Sequence, residues 1–446
     1  MERLIHERLK VWKDSPNRKP LILFGARQVG KTYALKEFGR REFDNLVYIS
    51  CDRLNGLPEL FEKGQDVQRL VLRLSSWAGQ AITPGKTLLF LDEVQETPAA
   101  ITCLKHFCED MPELHVAVAG SLLGVKNKMD ASFQFDKVDM MHMSPLTFDE
   151  FLLAMGRAPL YELLKEGDRD SLNALRAEYE ELLRQYYFVG GMPEAVVSFV
   201  RDRNPIAVRR IQKSILNAYE ADIAKHAGRD TLRVHMVWQS LPSQLGKENK
   251  KFIYGVIKQG ARAREFESAL QWLVDAGLLL RVPRVKCPMQ PMRAYEDPAA
   301  FKLYLLDVGL LGAMSGTPAK NMLIGDGVFS TFYGSFTENY VLQQLLSLDD
   351  VPVYYYSKEN SRLEIDFLTQ IGEEIRPLEV KAGVNVRSQS LKTFVETHRG
   401  QGVGRGIRFS LLGFRDQDWV ENIPLFAVRD EMKRKVDASW PVIPSA

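Results

Sequence analysis

Hydrophobic and polar positions alternate along the first third of the chain at two different periods. After a charged amphipathic opening, MERLIHERLKVWKD, residues 21–24 (LILF) form a short apolar run, a glycine-rich turn follows, and residues 32–41 repeat at helical spacing. The alternation continues with a strand at 46–50 (LVYIS), a helical pattern through about 80, a strand at 88–91 (LLFL), a helix at 99–110, a strand at 116–119 and a further strand around 139–143. Short apolar strands separated by helices predict a parallel sheet covered on both faces.

Beyond Phe148 the pattern changes. Residues 148–225 read as helical almost throughout, broken at Gly190-Gly191 and Pro193. Residues 229–284 carry three short helices, the third at about 264–276, and a closing strand at 278–282, which is the pattern of a winged-helix module. From about 330 a helix (334–347) leads to VYYYS, EIDFLTQ, the turn IGEE and IRPLEVK, then a helix near 388–398 and strands at 407–412 and 423–428. That is a small mixed α/β domain, and the tail after 436 is expected to be loosely held.

Composition narrows the class. The 446 residues are 45% hydrophobic and 26% charged, the balance of a soluble globular protein of several domains. A net charge of +2 does not by itself argue for nucleic acid, and it leaves room for a local basic groove. Cys51, Cys103, Cys108 and Cys287 are too few and too scattered for a disulfide framework, so a reducing cytoplasm is expected. No apolar run approaches the length of a signal-peptide core or a membrane span, so no membrane association is expected. The spacing of Cys103, His106, Cys108 and His115 suits no zinc site and reads as packing.

The turn after the first strand carries the chemistry. Gly25-Ala26-Arg27-Gln28-Val29-Gly30-Lys31-Thr32 fits G-x-x-x-x-G-K-[ST] between a strand and a helix. The glycines let backbone N–H groups turn inward around phosphates, and the helix N-terminus adds positive potential. Lys31 is expected to reach the β- and γ-phosphates of ATP, and the Thr32 hydroxyl to ligate Mg2+.

The strand 88–91 runs into Asp92-Glu93, at the strand edge where ligands of open α/β sheets gather. Asp92 is expected to hold magnesium through water and Glu93 to polarise the attacking water. A strand between the two motifs, with an acid after the aspartate, marks the catalytic-glutamate branch of P-loop ATPases. Ser121, after the strand 116–119, stands at a sensor position beside the γ-phosphate, and a plain turn serine is the alternative.

At this point the sequence resembles the bacterial and archaeal AAA-type ATPases that carry a C-terminal domain of unknown function. The resemblance rests on GARQVGKT, LLFLDEVQ, the AGS turn, MSPLTFDEFL, YFVGGMPEAV, the stretch from LPSQLGKENKK to LQWLVDAGLL, LYLLDVGLL, and the block from GSFTENYVLQQL to LEVKAG. It covers about 18 to 400. It implies an α/β protein with a P-loop AAA-type ATPase core (1–150), a helical lid (151–228), a winged-helix module and connector (229–325), a PD-(D/E)xK nuclease-like domain (326–436) and a tail (437–446). Where relatives have glycine-arginine before the MSPLTF segment, this chain has Asp136-Lys137, which leaves an arginine finger unassigned among Arg184, Arg209 and Arg210. A homo-oligomer is compatible with the class.

Glu338, Asp366, Glu379 and Lys381 fit the nuclease pattern, with Glu379 and Lys381 on one face of a strand. Three acids could hold one or two magnesium ions and Lys381 could steady an attacking hydroxide, although E-x-K is common in exposed hairpins. Lys247, Lys250, Lys251 and Lys258, with Arg262 and Arg264, make the winged-helix stretch basic, either to meet DNA or simply as a solvated face. Three functions follow as expectations: an ATP-driven switch acting on DNA, an ATP-gated metal-dependent DNA nuclease, and a module that binds a protein partner and uses ATP for shape alone.

Overall fold

The computed structural model describes residues 1–440 apart from 53–55, 63–65, 121–134, 247–250, 324–330, 350, 359–360 and 385–386. The chain divides into two compact units, Met1–Pro145 with Asp275–Leu278, and Leu146–Val274 with Leu279–Ala446. Together they make an α/β protein with two separate sheets.

The first unit is built on five strands, β1 (Leu21–Phe24), β2 (Asn45–Ser50), β3 (Thr87–Asp92), β4 (His115–Gly120) and β5 (Asp139–His142), in the order β2-β3-β4-β1-β5. Every pairing is parallel. All six residues of β3 and all six of β4 are buried, as expected for strands covered on both faces. Between β2 and β3 the single helical stretch expected through about 80 is two helices, Leu57–Glu62 and Val67–Ala78, and Asp66 caps the second by accepting the Arg69 N–H. Order in space differs from order in sequence. β2, which lies between the two motifs along the chain, is the outer strand beyond β3, and it is β4 that separates β1 from β3. The right-handed crossovers of parallel sheets permit such reordering, and periodicity alone cannot reveal it.

The second unit begins with a run of helices, Phe148–Ala154, Ala158–Glu166, Arg169–Ala174, Arg176–Val189, Pro193–Asp202 and Pro205–His226. Thr147 and Glu150 form a reciprocal capping box at the first of these. Helices Thr231–Leu245, Tyr254–Ile257 and Ala263–Asp275 follow, then β6 (Leu279–Val285) and β7 (Glu296–Leu305).

β6 and β7 do not stand apart from the C-terminal strands. They complete an eight-stranded sheet with β8 (Val353–Ser357), β9 (Glu364–Ile371), β10 (Glu374–Val380), β11 (Gly406–Ser410), β12 (Arg415–Asp416) and β13 (Val420–Pro424), in the order β12-β13-β11-β10-β9-β8-β6-β7. The last strand ends earlier than its apolar pattern suggests. Pro424 closes it, residues 425–427 form a 3-10 turn, and helix Val428–Ser439 carries the chain past 436. An apolar run of this length fits a strand or a buried helix start equally well, and the proline decides.

Helix Thr331–Leu345 is the hub of this unit. From Ser335 to Leu345 it is buried on every face, polar residues included. Asn339 clamps the end of β7 by accepting the Leu305 N–H and donating to the Leu305 carbonyl, both at 2.9 Å. Gln343 accepts the Val308 N–H at 3.2 Å and donates to the Tyr186 hydroxyl at 2.8 Å. Gln344 accepts the Phe148 N–H at 3.1 Å. Asn339 and Gln343 are tolerated inside because their polar atoms find partners, whereas Gln344 Nε2 has none. Among the described residues no helix is long and apolar enough to cross a membrane.

Candidate functional site

The turn between β1 and helix Lys31–Glu42 wraps tightly on its own backbone. A Cβ at Gly25 would lie 2.3 Å from the Met143 carbonyl oxygen, so no side chain fits there. Gly30 takes φ 98° to open the helix, and Gln28 is also left-handed at φ 68°. Ala26 and Val29 are buried and anchor the loop, while Arg27 and Gln28 are exposed on it. Arg3, itself buried, donates to the Val29 carbonyl at 2.7 Å and the Ser144 carbonyl at 2.8 Å. It ties the loop to the end of β5, a role that an arginine just before the opening helix Ile5–Asp14 does not advertise.

Lys31 feels the charges of Asp92, the last residue of β3, and of Glu93 just after it. The Lys31 ammonium donates to the carbonyls of Gly25 and Ala26 at 3.0 and 2.8 Å. Burial pushes its pKa down to about 8, against the pull of Glu93 and Asp92. Thr32 Oγ1 donates to Asp92 Oδ2 at 2.9 Å, and the Tyr48 hydroxyl, from β2, reaches the same oxygen at 3.2 Å. Asp92 Oδ1 accepts the Glu93 N–H at 3.1 Å. Burial raises the Asp92 pKa, and Glu93 adds to the effect, while the hydrogen bonds from Thr32, Glu93 N–H and Tyr48 oppose it. Glu93 sits at φ 50°, a left-handed conformation uncommon for a side-chain-bearing residue and often found at working sites. Gln95 Nε2 holds its Oε2 at 2.5 Å.

Three families match the chain, and between them they span most of it. The family described as "AAA domain" matches residues 17–152, and a domain of unknown function (DUF4143) matches 333–427. This chain belongs to the AAA-type P-loop ATPases that carry a C-terminal domain of unknown function. A further domain of unknown function (DUF8612) matches residues 180–321 of this AAA-type chain, spanning the end of the helical run, β6 and β7.

Among solved structures the chain is similar to the Walker-type ATPase PABY2304 of Pyrococcus abyssi, at 14% identity over 70% of this chain and 95% of that one, with a TM-score of 0.44. It is also similar to the Aeropyrum pernix ORC1 protein in complex with DNA (14%, 72% and 92%, TM-score 0.29) and to the RuvB Holliday junction branch migration motor of Thermotoga maritima (14%, 63% and 89%, TM-score 0.31). No curated protein matches the chain.

Ser121 lies outside the described residues. Lys137 pairs with Glu109 at 3.0 Å. Arg209 is engaged by Gln212 and the Thr317 carbonyl at 2.9 and 3.1 Å and lies over the Phe188 ring. Arg184 lines a small cavity with Glu180, Tyr187 and Thr337.

The second group of predicted residues is also brought together. Lys381 Nζ lies 2.9 Å from Glu379 Oε1, and Asp366 Oδ2 accepts the Val380 N–H at 2.8 Å. Glu338 Oε2 accepts the Tyr304 hydroxyl at 2.9 Å. Two neighbours escaped the sequence pattern. Tyr304 and Lys302 both lie on β7, far from the E-x-K hairpin in sequence. Among the described residues no three histidine, cysteine or acidic side chains are grouped so as to hold a metal ion.

Proposed function

We propose that this chain binds ATP with magnesium at Gly25–Thr32 and hydrolyses it, and that the nucleotide cycle is a switch whose output acts on DNA. The observation that carries the reading is the 2.9 Å contact between the Thr32 hydroxyl and Asp92, which puts the two expected magnesium-binding side chains at one point. An oxygen-only set of this kind suits magnesium, and a buried carboxylate in need of a cation supports the fit. Thr32 directly and Asp92 through water would hold the ion, which supplies charge neutralisation on the phosphates.

The chain's own residues do the rest. Inward backbone N–H groups of Gly25–Lys31 bind the phosphate oxygens, and the Lys31 ammonium turns from carbonyls to phosphate. Glu93, held by Gln95, orients a water and takes its proton. The region 151–228 acts as a lid, 229–325 as a winged helix with its connector, and 326–436 as a nuclease-like fold. Exposed Lys258, Arg262 and Arg264 favour a phosphate backbone as the ligand of the winged helix, while Lys247 and Lys250 lie outside the described residues. The test is binding of a fluorescent ATP analogue. Lys31→Ala is expected to abolish it, and unchanged binding would sink the reading.

A further inference from the structure

The nuclease-like arrangement around Glu338, Asp366 and Glu379 raises the question of whether it suits a divalent cation. Such an ion needs several acidic or carbonyl oxygens free to converge on one point. Here Glu338, Asp366 and Glu379 each meet a donor of the protein on one oxygen, and the other oxygen of Glu379 is buried without a partner. Lys302 is 1% exposed, and its Nζ lies 2.6 Å from Glu364 Oε1. The contact joins β7 to β9, three positions apart in the strand order. Tyr304 is two residues further along β7 and so on the same face, and it donates to Glu338. Glu364 and Asp366 likewise share a face of β9. The ring of Tyr355 lies under the Lys302 ammonium at 4.9 Å from its centroid. From the other side Lys381 takes Glu379.

A lysine buried this deeply would ordinarily lose its proton. Burial does oppose the charge, but Glu338, Glu364 and Asp366 outweigh it and hold the ammonium charged well above its ordinary range. The same Glu338 and Asp366 are two of the acids that the nuclease pattern would assign to metal. A fixed positive charge therefore already stands among them, its ammonium bonded to Glu364 next to Asp366 on β9. No group of three ligating side chains remains among the described residues.

We propose that Lys302 is a built-in cation that replaces the divalent metal at this acidic centre, so that the C-terminal sheet keeps a nuclease-like arrangement without metal-dependent phosphodiester cleavage. The charge on β7 ties the acids of β9 and helix Thr331–Leu345 together, making the centre a structural clasp between the β6–β7 strands and the C-terminal strands.

The test is Mn2+ titration of the full chain without nucleotide, read by the electron paramagnetic resonance signal of free Mn2+, for the wild type, Asp366→Asn, Lys302→Met and the double variant. Any weak binding at Thr32 and Asp92 is common to all four and cancels. The wild type and Asp366→Asn are expected to bind equal amounts of Mn2+. Lys302→Met is expected to gain one ion per chain, lost again in the double variant. Supercoiled plasmid is expected to stay intact with the wild type and Mn2+. A wild-type ion that Asp366→Asn removes overturns the proposal, as does a cooperatively melting Lys302→Met that gains none. If Lys302→Met does not fold, the comparison of wild type with Asp366→Asn still decides.

Discussion

The carboxylate of Asp307 accepts the backbone N–H of Gly191 at 2.6 Å, across 116 residues of chain. Its other oxygen caps helix Val308–Met314 by accepting the Leu310 N–H at 2.9 Å. The approach is so close that a Cβ at Gly190 would fall 2.2 Å from Asp307 Oδ1, and one at Gly191 would fall 2.1 Å from the Leu146 carbonyl oxygen. Leu146 N–H in turn donates to the Gly191 carbonyl at 2.7 Å. Three strings of the sequence, MSPLTF, YFVGG and LLDVG, thus meet at one buried point of the second unit.

Asp307→Ala is expected to cost on the order of 3 kcal/mol, because a helix cap is lost and a buried N–H is left without an acceptor. Gly190→Ala is expected to cost at least as much, since Gly190 takes φ 73° and ψ −168°, a region essentially confined to glycine. Urea denaturation measures both. Burial pushes the Asp307 pKa up to about 6, against its hydrogen bonds. Its folded pKa therefore lies above the unfolded one, and this group's stability contribution is greatest below about 4 and is lost as pH rises through about 6.

Arg3→Ala removes the two bonds that tie the phosphate-binding loop to the end of β5. Nucleotide affinity is expected to fall roughly 10-fold or more, corresponding to about 1.5 kcal/mol or more for charged hydrogen bonds. Fluorescent-nucleotide titration reads the change. An affinity equal to wild type means that the loop holds its shape without Arg3.

Glu93→Gln separates binding from turnover. Glutamine keeps the shape and the contact to Gln95 but cannot take a proton, so nucleotide binding is expected to persist. Phosphate release is expected to fall by about 10²–10⁴-fold. Loss of binding together with turnover would instead give Glu93 a structural role.

His115 supplies a pH dependence in the first unit. It is buried beside the rings of Trp12 and Phe43, and its Nδ1 has no hydrogen-bond partner. Burial, with help from Arg18, lowers its pKa to about 4. The unfolded chain gains a proton near its ordinary value of about 6.5, before the folded chain does, so stability falls as pH drops from there toward about 4. The full effect is up to about 3 kcal/mol at 1.36 kcal/mol per pH unit. His115→Phe is expected to flatten that part of the profile in denaturation measured at several pH values.

The sequence by itself determined what short range dictates. The apolar runs became β3 and β4 because a doubly covered strand needs little more than continuous apolar residues, and the phosphate-binding loop is a local turn whose glycines and following helix are contiguous. Asp92 and Glu93 were legible because a strand tip is fixed by its own strand. Tertiary structure decided what depends on strand order and long-range partners. It placed β4 rather than β2 between β1 and β3, ran β6 and β7 into the C-terminal sheet, and brought Arg3 to the loop. It also set Lys302 and Tyr304 against Glu364 and Glu338. No spacing rule links Lys302 to Glu364, since β7 and β9 are not neighbours in the strand order. The charge balance at that centre is therefore a property of the fold.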